Sequence, residues 1–140
     1  MKVEISAGEA LDKISILEIK LNQMKDEQRR ENVKRELGLL IDSVLAEGLQ
    51  VWLLGDEYKE LLETNQALWI IEDRIRNKEH KKEFDEEFIS LARSVYIMND
   101  QRADIKRRIN EQTKSLLIEE KEYTVKYEPK CGGVIDESDN

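Results

Sequence analysis

A single proline, Pro129, stands in the chain of 140 residues, and none precedes it. Proline removes a backbone donor and clashes with the preceding turn of a helix. Its absence from Met1 to Glu128 therefore lets long helices run unbroken. Charged residues make up 39% of the chain, against roughly 25% in an ordinary soluble domain. Leu, Ile, Val and Phe still make up about 28%, above the roughly 20% below which disorder becomes the default. A folded helical domain with a highly charged surface is the expectation.

Local signals divide the chain into four helices. Ser6 followed by Glu9 is a capping-box pattern, in which two side chains satisfy free N–H groups at a helix start. A first helix should begin near Ala7. Its core stripe is Leu11, Ile14, Leu17, Leu21 and Met24, widened by Ile16 and Ile19, and it ends in the charged stretch Lys25–Arg30. A second helix is expected from Glu31 to Glu47 on Val33, Leu37, Leu40, Ile41, Val44 and Leu45. Gly48 then suits a left-handed C-terminal residue. Gly38, in mid-helix, should cost about 1 kcal/mol relative to Ala, a cost that close helix approach would explain.

Leu49–Gly55 reads as a short apolar linker containing Trp52, after which Asp56 can cap a third helix running to Glu79. Its stripe is Leu61, Leu68, Ile71 and Ile75. Lys78–Lys82 reads as a charged turn. A fourth helix from Phe84 to Leu117 would be roughly 50 Å long. Its stripe, Phe84, Phe88, Leu91, Val95, Met98, Arg102, Ile105, Ile109, Gln112 and Leu116, steps by four and three, which is a heptad signal. Val3 and Ile5, and later Tyr123, Val125 and Tyr127, alternate with polar residues as strands do. The expected fold is all-α: a four-helix bundle with a long C-terminal helix and room for a minor two-stranded terminal ribbon. The expected division is one domain over 1–128 and a flexible acidic tail over 129–140.

Composition also excludes function classes. Net charge is −8, whereas nucleic-acid binders carry a basic face to neutralise phosphates. Arg102, Lys106, Arg107 and Arg108 do not share one helix face. With one cysteine, Cys131, and one histidine, His80, in a polar stretch expected to be an exposed turn, cysteine-rich zinc sites and di-iron bundle patterns are absent. Glu9-Ala10-Leu11-Asp12 matches half of the carboxylate pattern of helical nucleotide pyrophosphohydrolases. Glu86-Glu87-Phe88-Ile89-Ser90 and Glu119-Glu120-Lys121-Glu122-Tyr123 fail the other half. No metal and no cofactor are expected. No glycine-rich phosphate loop exists. No signal-peptide pattern and no apolar run of membrane-spanning length is found, so the expected location is the cytoplasm, with neither nucleic acid nor membrane as partner.

The most informative residues are polar ones beside the apolar stripes. On helix three, Tyr58, Leu62, Asn65, Trp69, Glu72 and Arg76 follow at steps of three and four; on helix four, Tyr96, Asn99, Ala103, Lys106 and Asn110 do the same. Arg102 lies within the heptad itself. An inward polar group must be hydrogen-bonded and an inward charge paired. One reading is a network that fixes helix register, such as Glu72 paired with Arg102. The other is a ligand groove lined by Asn65, Trp69, Glu72, Arg76, Tyr96, Asn99, Arg102 and Lys106.

Several phrases stand out together: Val3-Glu4-Ile5-Ser6-Ala7-Gly8-Glu9 with Leu11-Asp12-Lys13-Ile14-Ser15-Ile16-Leu17-Glu18-Ile19-Lys20; Asn65-Gln66-Ala67-Leu68-Trp69-Ile70-Ile71-Glu72-Asp73; Leu91-Ala92-Arg93-Ser94-Val95-Tyr96 with Asn99-Asp100-Gln101-Arg102-Ala103; and Glu119-Glu120-Lys121. In these the chain resembles a family of small bacterial and phage proteins classed only as a domain of unknown function. The resemblance covers about residues 1–125 and implies a stand-alone domain, with no activity attached. Three functions remain open. The leading one is a non-enzymatic helical interaction or assembly protein that self-associates as a homo-oligomer through the fourth helix, or binds a protein partner. The alternative is a small-molecule-binding or enzymatic bundle using the groove. The third is an acidic charge mimic that blocks another protein.

Overall fold

The computed structural model describes residues 1–125. They form helices α1 (Ala7–Gln23), α2 (Glu27–Ala46), α3 (Asp56–Lys81) and α4 (Glu86–Gln112), with a 3-10 turn at Gln50–Leu54 between α2 and α3. The chain is an all-α bundle. Tyr127 and the acidic tail over 129–140 lie outside the described residues.

Helix starts follow cap chemistry. The Ser6, Asp26 and Asp85 side chains accept the N–H groups of Glu9, Arg29 and Phe88. These are donors that the helices themselves leave unpaired. Asp26 starts α2 earlier than the apolar stripe predicts, so the charged stretch Lys25–Arg30 belongs mostly to α2. Arg30 reaches back to the Leu21 and Met24 carbonyls at the end of α1. Only half of the predicted capping box forms, because the Glu9 carboxylate turns to Lys106 instead. Asp56 is not the cap of α3: Gly55 holds that position, and Asp56 with Glu57 sits in the first turn, where negative charge suits the helix dipole.

Three helices end in the same way. A left-handed residue closes each, Gly48 (φ 72) and Lys114 (φ 53) just after the cap and Lys82 (φ 57) at the cap itself. The following N–H groups, of Leu49, Glu83 and Ser115, donate back to Val44, Lys78 and Asn110, which is the Schellman arrangement. Gly48 takes its predicted role. The Lys114 turn ends α4 at Gln112, which shortens the expected fourth helix from about 50 Å to about 40 Å and leaves Leu116 outside it. Likewise α3 runs on to Lys81, so His80 is exposed in its last turn rather than in a loop.

Helix α1 is the centre of the bundle. Gly8 packs on Lys106 and Asn110, and Asp12 meets Arg102, so α1 and α4 are antiparallel. Glu60 with Arg108 and Lys78 with Asp85 make α3 and α4 an antiparallel hairpin. Helix α2 packs chiefly on α1, joined to it by Lys13–Glu36 at 2.8 Å. The core holds Ala7, Ala10, Leu11, Ile14, Val44, Tyr58, Leu61, Ile105 and Ile109, with Leu37, Leu40, Ile41, Leu49, Trp52 and Leu53 packed around it. Gly38 faces open space, so close helix approach is not its explanation.

The terminal ribbon does not form among the described residues: neither Val3–Ile5 nor Tyr123–Val125 is a strand. Val3 and Val125 are exposed. A ribbon needs backbone ladders, and the segment after α4 is instead tied to the bundle by side chains, as described below.

Candidate functional site

Asp12 is the centre of the polar cluster, and it is 1% exposed. Its Oδ1 accepts from Asn65 Nδ2 at 2.8 Å and Arg102 Nε at 2.8 Å, and its Oδ2 accepts from Arg102 Nη2 at 2.5 Å. The two-point pairing of guanidinium and carboxylate is the strong form of this contact. Ser15 Oγ accepts from Asn65 Nδ2 at 2.8 Å and donates to the Asp12 carbonyl at 2.7 Å. Arg102 Nη1 also donates to Asn99 Oδ1 at 3.4 Å. Its hydrogen bonds to Asp12 hold the guanidinium above its ordinary pKa, against the opposing effect of burial. Both Asp12 oxygens are engaged, so the carboxylate offers no open face to a substrate.

One turn away, Lys106 is 7% exposed and donates to Glu9 Oε2 at 2.6 Å and Glu119 Oε2 at 2.7 Å. Burial pulls its pKa down, but the two carboxylates outweigh burial and the ammonium stays above its ordinary value. The same contact pulls Glu119 below the ordinary value of 4.5. Here α1 and α4 nearly touch. A Cβ on Gly8 would stand 2.6 Å from the Lys106 carbonyl oxygen and 2.8 Å from Asn110 Oδ1. Without a side chain, the Gly8 N–H donates to Asn110 Oδ1 at 2.7 Å.

The structure divides the eight predicted site residues. Asn65, Asn99, Arg102 and Lys106 converge, but on α1 rather than on an open groove between α3 and α4. Trp69 is half-buried beside them. Glu72 and Arg76 lie on the surface and pair with each other at 3.6 Å. Arg102 therefore takes Asp12, not Glu72, as its partner, because Asp12 is buried against it while Glu72 stays in solvent. Tyr96 is 44% exposed. An open depression of about 260 Å³ lies at the far tip of the hairpin, lined by Arg74, Asn77, Lys78, Lys81, Glu83 and Glu87. None of the eight lines it, and its Lys78 is bound to Glu83, Asp85 and Glu87.

Sequence reading missed Gly8, Asp12 and Ser15 as members of the cluster. Their signal was present. Gly8, Asp12 and Ser15 step by four and three, so they form a small and polar stripe inside a helix otherwise lined with Leu and Ile. That pattern marks a helix surrounded on several sides, whose polar stripe meets neighbours rather than water. Among the described residues no group of three or more His, Cys, Asp or Glu could hold a metal ion, and no helix is long and apolar enough to cross a membrane.

The family profile described as a family of unknown function (DUF6165) matches residues 1–131, and the chain belongs to that family. No curated protein and no solved structure matches it.

Proposed function

We propose, for a family member to which no activity carries over, that the chain is a non-enzymatic helical interaction protein. It self-associates through the exposed part of the α3–α4 hairpin. The observation that carries this reading is how burial fades along that hairpin. On the face of α4 that meets α1, Lys106 and Asn110 are buried, whereas Tyr96, Ala92 and Ile89 are exposed. On α3 the same change runs from Asn65 and Leu68 to Glu72 and Arg76. Matched at the Asp12–Asn65 level, α3 continues about 8 Å beyond the end of α1. That stripe is thus buried near Asn65 and Lys106 and exposed toward Glu72, Arg76, Tyr96 and Ile89. An amphipathic face open along two helices suits another helix laid into it.

The heptad run does not carry the proposal. Leu91, Ile105 and Ile109 are buried within the chain. What supports it is the exposed Ile89–Ala92–Tyr96 stretch. The satisfied Asp12 cluster favours a structural role over the small-molecule reading. The paired state of Arg102, Lys106, Arg107 and Arg108 favours a protein partner over nucleic acid. Sedimentation equilibrium tests the reading: the wild-type chain associates at high micromolar concentration, and Ile89→Lys/Tyr96→Lys is a monomer. A strictly monomeric wild-type chain overturns it.

A further inference from the structure

The segment that follows α4 turns back on the bundle. From the left-handed Lys114 it lays Ser115–Glu120 across the N-terminal end of α1. Ser115 Oγ accepts the Ala7 N–H at 3.2 Å. Glu119 takes Lys106 at 2.7 Å, and Glu120 takes Arg107. Between these contacts Leu116, Leu117 and Ile118 are exposed, at 85%, 43% and 42%. Polar groups therefore hold the strap and its apolar residues do not anchor it. Of the two ion pairs, Arg107–Glu120 is exposed on both sides and so contributes little, while Glu119 meets the buried Lys106 from a half-exposed position.

What lies beneath is built for negative charge. Helix α1 has 17 residues and directs the positive end of its dipole there. Lys106 and Arg107 flank it. Asn110, 1% exposed, supplies a further donor. Its Oδ1 takes the Gly8 N–H, which fixes the orientation of the amide, since an NH₂ group cannot accept. Its Nδ2 is then a buried donor with no hydrogen-bond partner among the described residues. Buried donors are almost always satisfied, and one left unmet at a charged seat points to an absent acceptor.

We infer that the seat under the strap binds a phosphate-like oxyanion, for which Glu119 and Ser115 are the resident stand-ins. A phosphoryl group carries three strong acceptor oxygens and close to two charges. Its oxygens replace Ser115 Oγ on the Ala7 N–H and Glu119 on Lys106, and they bring to this end of α1 the kind of acceptor that Asn110 Nδ2 lacks under the strap. Glu9 keeps its own contact with Lys106. The strap must lift for the anion to enter, so binding and strap release are coupled in both directions. Two sources share this chemistry: the free ion, and a phosphomonoester on a partner.

Titration of the full ¹⁵N-labelled chain with inorganic phosphate, against sodium chloride of matched ionic strength, tests the inference. Phosphate should shift the Ala7 amide and the Asn110 side-chain NH₂ signals saturably, and chloride should not. Glu119→Gln removes the competing carboxylate and should tighten phosphate binding about fivefold; Arg107→Gln should weaken it. Both changes are at half-exposed side chains, and the amide spectrum itself reports that the fold is kept. Phosphoserine in a parallel titration separates the sources: tighter binding than phosphate assigns the seat to an ester, weaker binding to the free ion. Shifts that track ionic strength, shifts confined to other regions, or an unchanged affinity in Glu119→Gln would overturn the inference.

Discussion

Replacing Gly8 by Ala places a methyl group between α1 and α4. The new Cβ would meet the Lys106 carbonyl oxygen at 2.6 Å, Asn110 Oδ1 at 2.8 Å and Lys106 Cα at 3.0 Å. Two of these are backbone atoms inside a helix, which cannot step aside as a flexible side chain does. Overpacking of this kind costs about 1–3 kcal/mol. Displacing Asn110 also strains the Gly8 N–H bond at 2.7 Å, a contact worth about 1 kcal/mol. Against this stands the helix propensity of Ala, a gain of about 1 kcal/mol over Gly. The net expectation is a loss of about 2 kcal/mol, or roughly 6 °C in melting temperature for a chain of this size. Gly38→Ala is the control. Nothing lies within 4 Å of its Cβ position, so the propensity gain stands alone and the variant should be more stable by about 1 kcal/mol. Urea denaturation of both variants reads the two signs. A Gly8→Ala chain as stable as the wild type would refute the close approach of α1 and α4.

Three further outcomes are expected. Asp12→Ala strands the half-buried Arg102 and should cost about 3–5 kcal/mol, with partial recovery in Asp12→Ala/Arg102→Met; chemical denaturation measures both. Lys82→Gly and Lys114→Gly relieve left-handed backbone at φ 57 and φ 53, and each should raise stability by about 0.5–1 kcal/mol in thermal melts. Glu119 is held below its ordinary value by the Lys106 ammonium. Its contribution is therefore complete above the ordinary carboxylate value and is lost as pH falls through the lowered folded one. Hydrogen exchange at the strap should rise across that acidic interval in the wild type, and a Glu119→Gln chain should lack this step.

The helical fold was legible because its signals are local. An unbroken run without proline, the cap at Ser6, the left-handed stop at Gly48 and stripes at steps of three and four each act within a few residues. The end of α4 was not legible. The heptad stripe continues through Gln112 and Leu116, while the turn that stops the helix sits on Lys114, a residue with no sequence signature for left-handed backbone. The ribbon failed for a related reason: alternation over three residues describes a strand only when a ladder partner lies beside it. For the candidate site, Asn65, Asn99, Arg102 and Lys106 were visible as polar residues at core spacing. Their partners were not, because Asp12 and Glu9 are charged residues on a helix read as apolar on one face only. Nothing in the sequence of α3 and α4 reveals that α1 lies between their polar residues. That placement depends on Gly8, whose missing side chain lets the helices approach.

The exposed Ile89–Ala92–Tyr96 face of α4 is the centre of the functional account, and intermolecular relaxation enhancement tests it directly. A nitroxide is attached at Asp73→Cys in a chain that also carries Cys131→Ser. This chain is mixed with an ¹⁵N-labelled wild-type chain. The account predicts broadening of the Ile89, Ala92 and Tyr96 amides of the labelled chain, growing with concentration. Amides left sharp at high concentration, or broadening confined to α2, would contradict it.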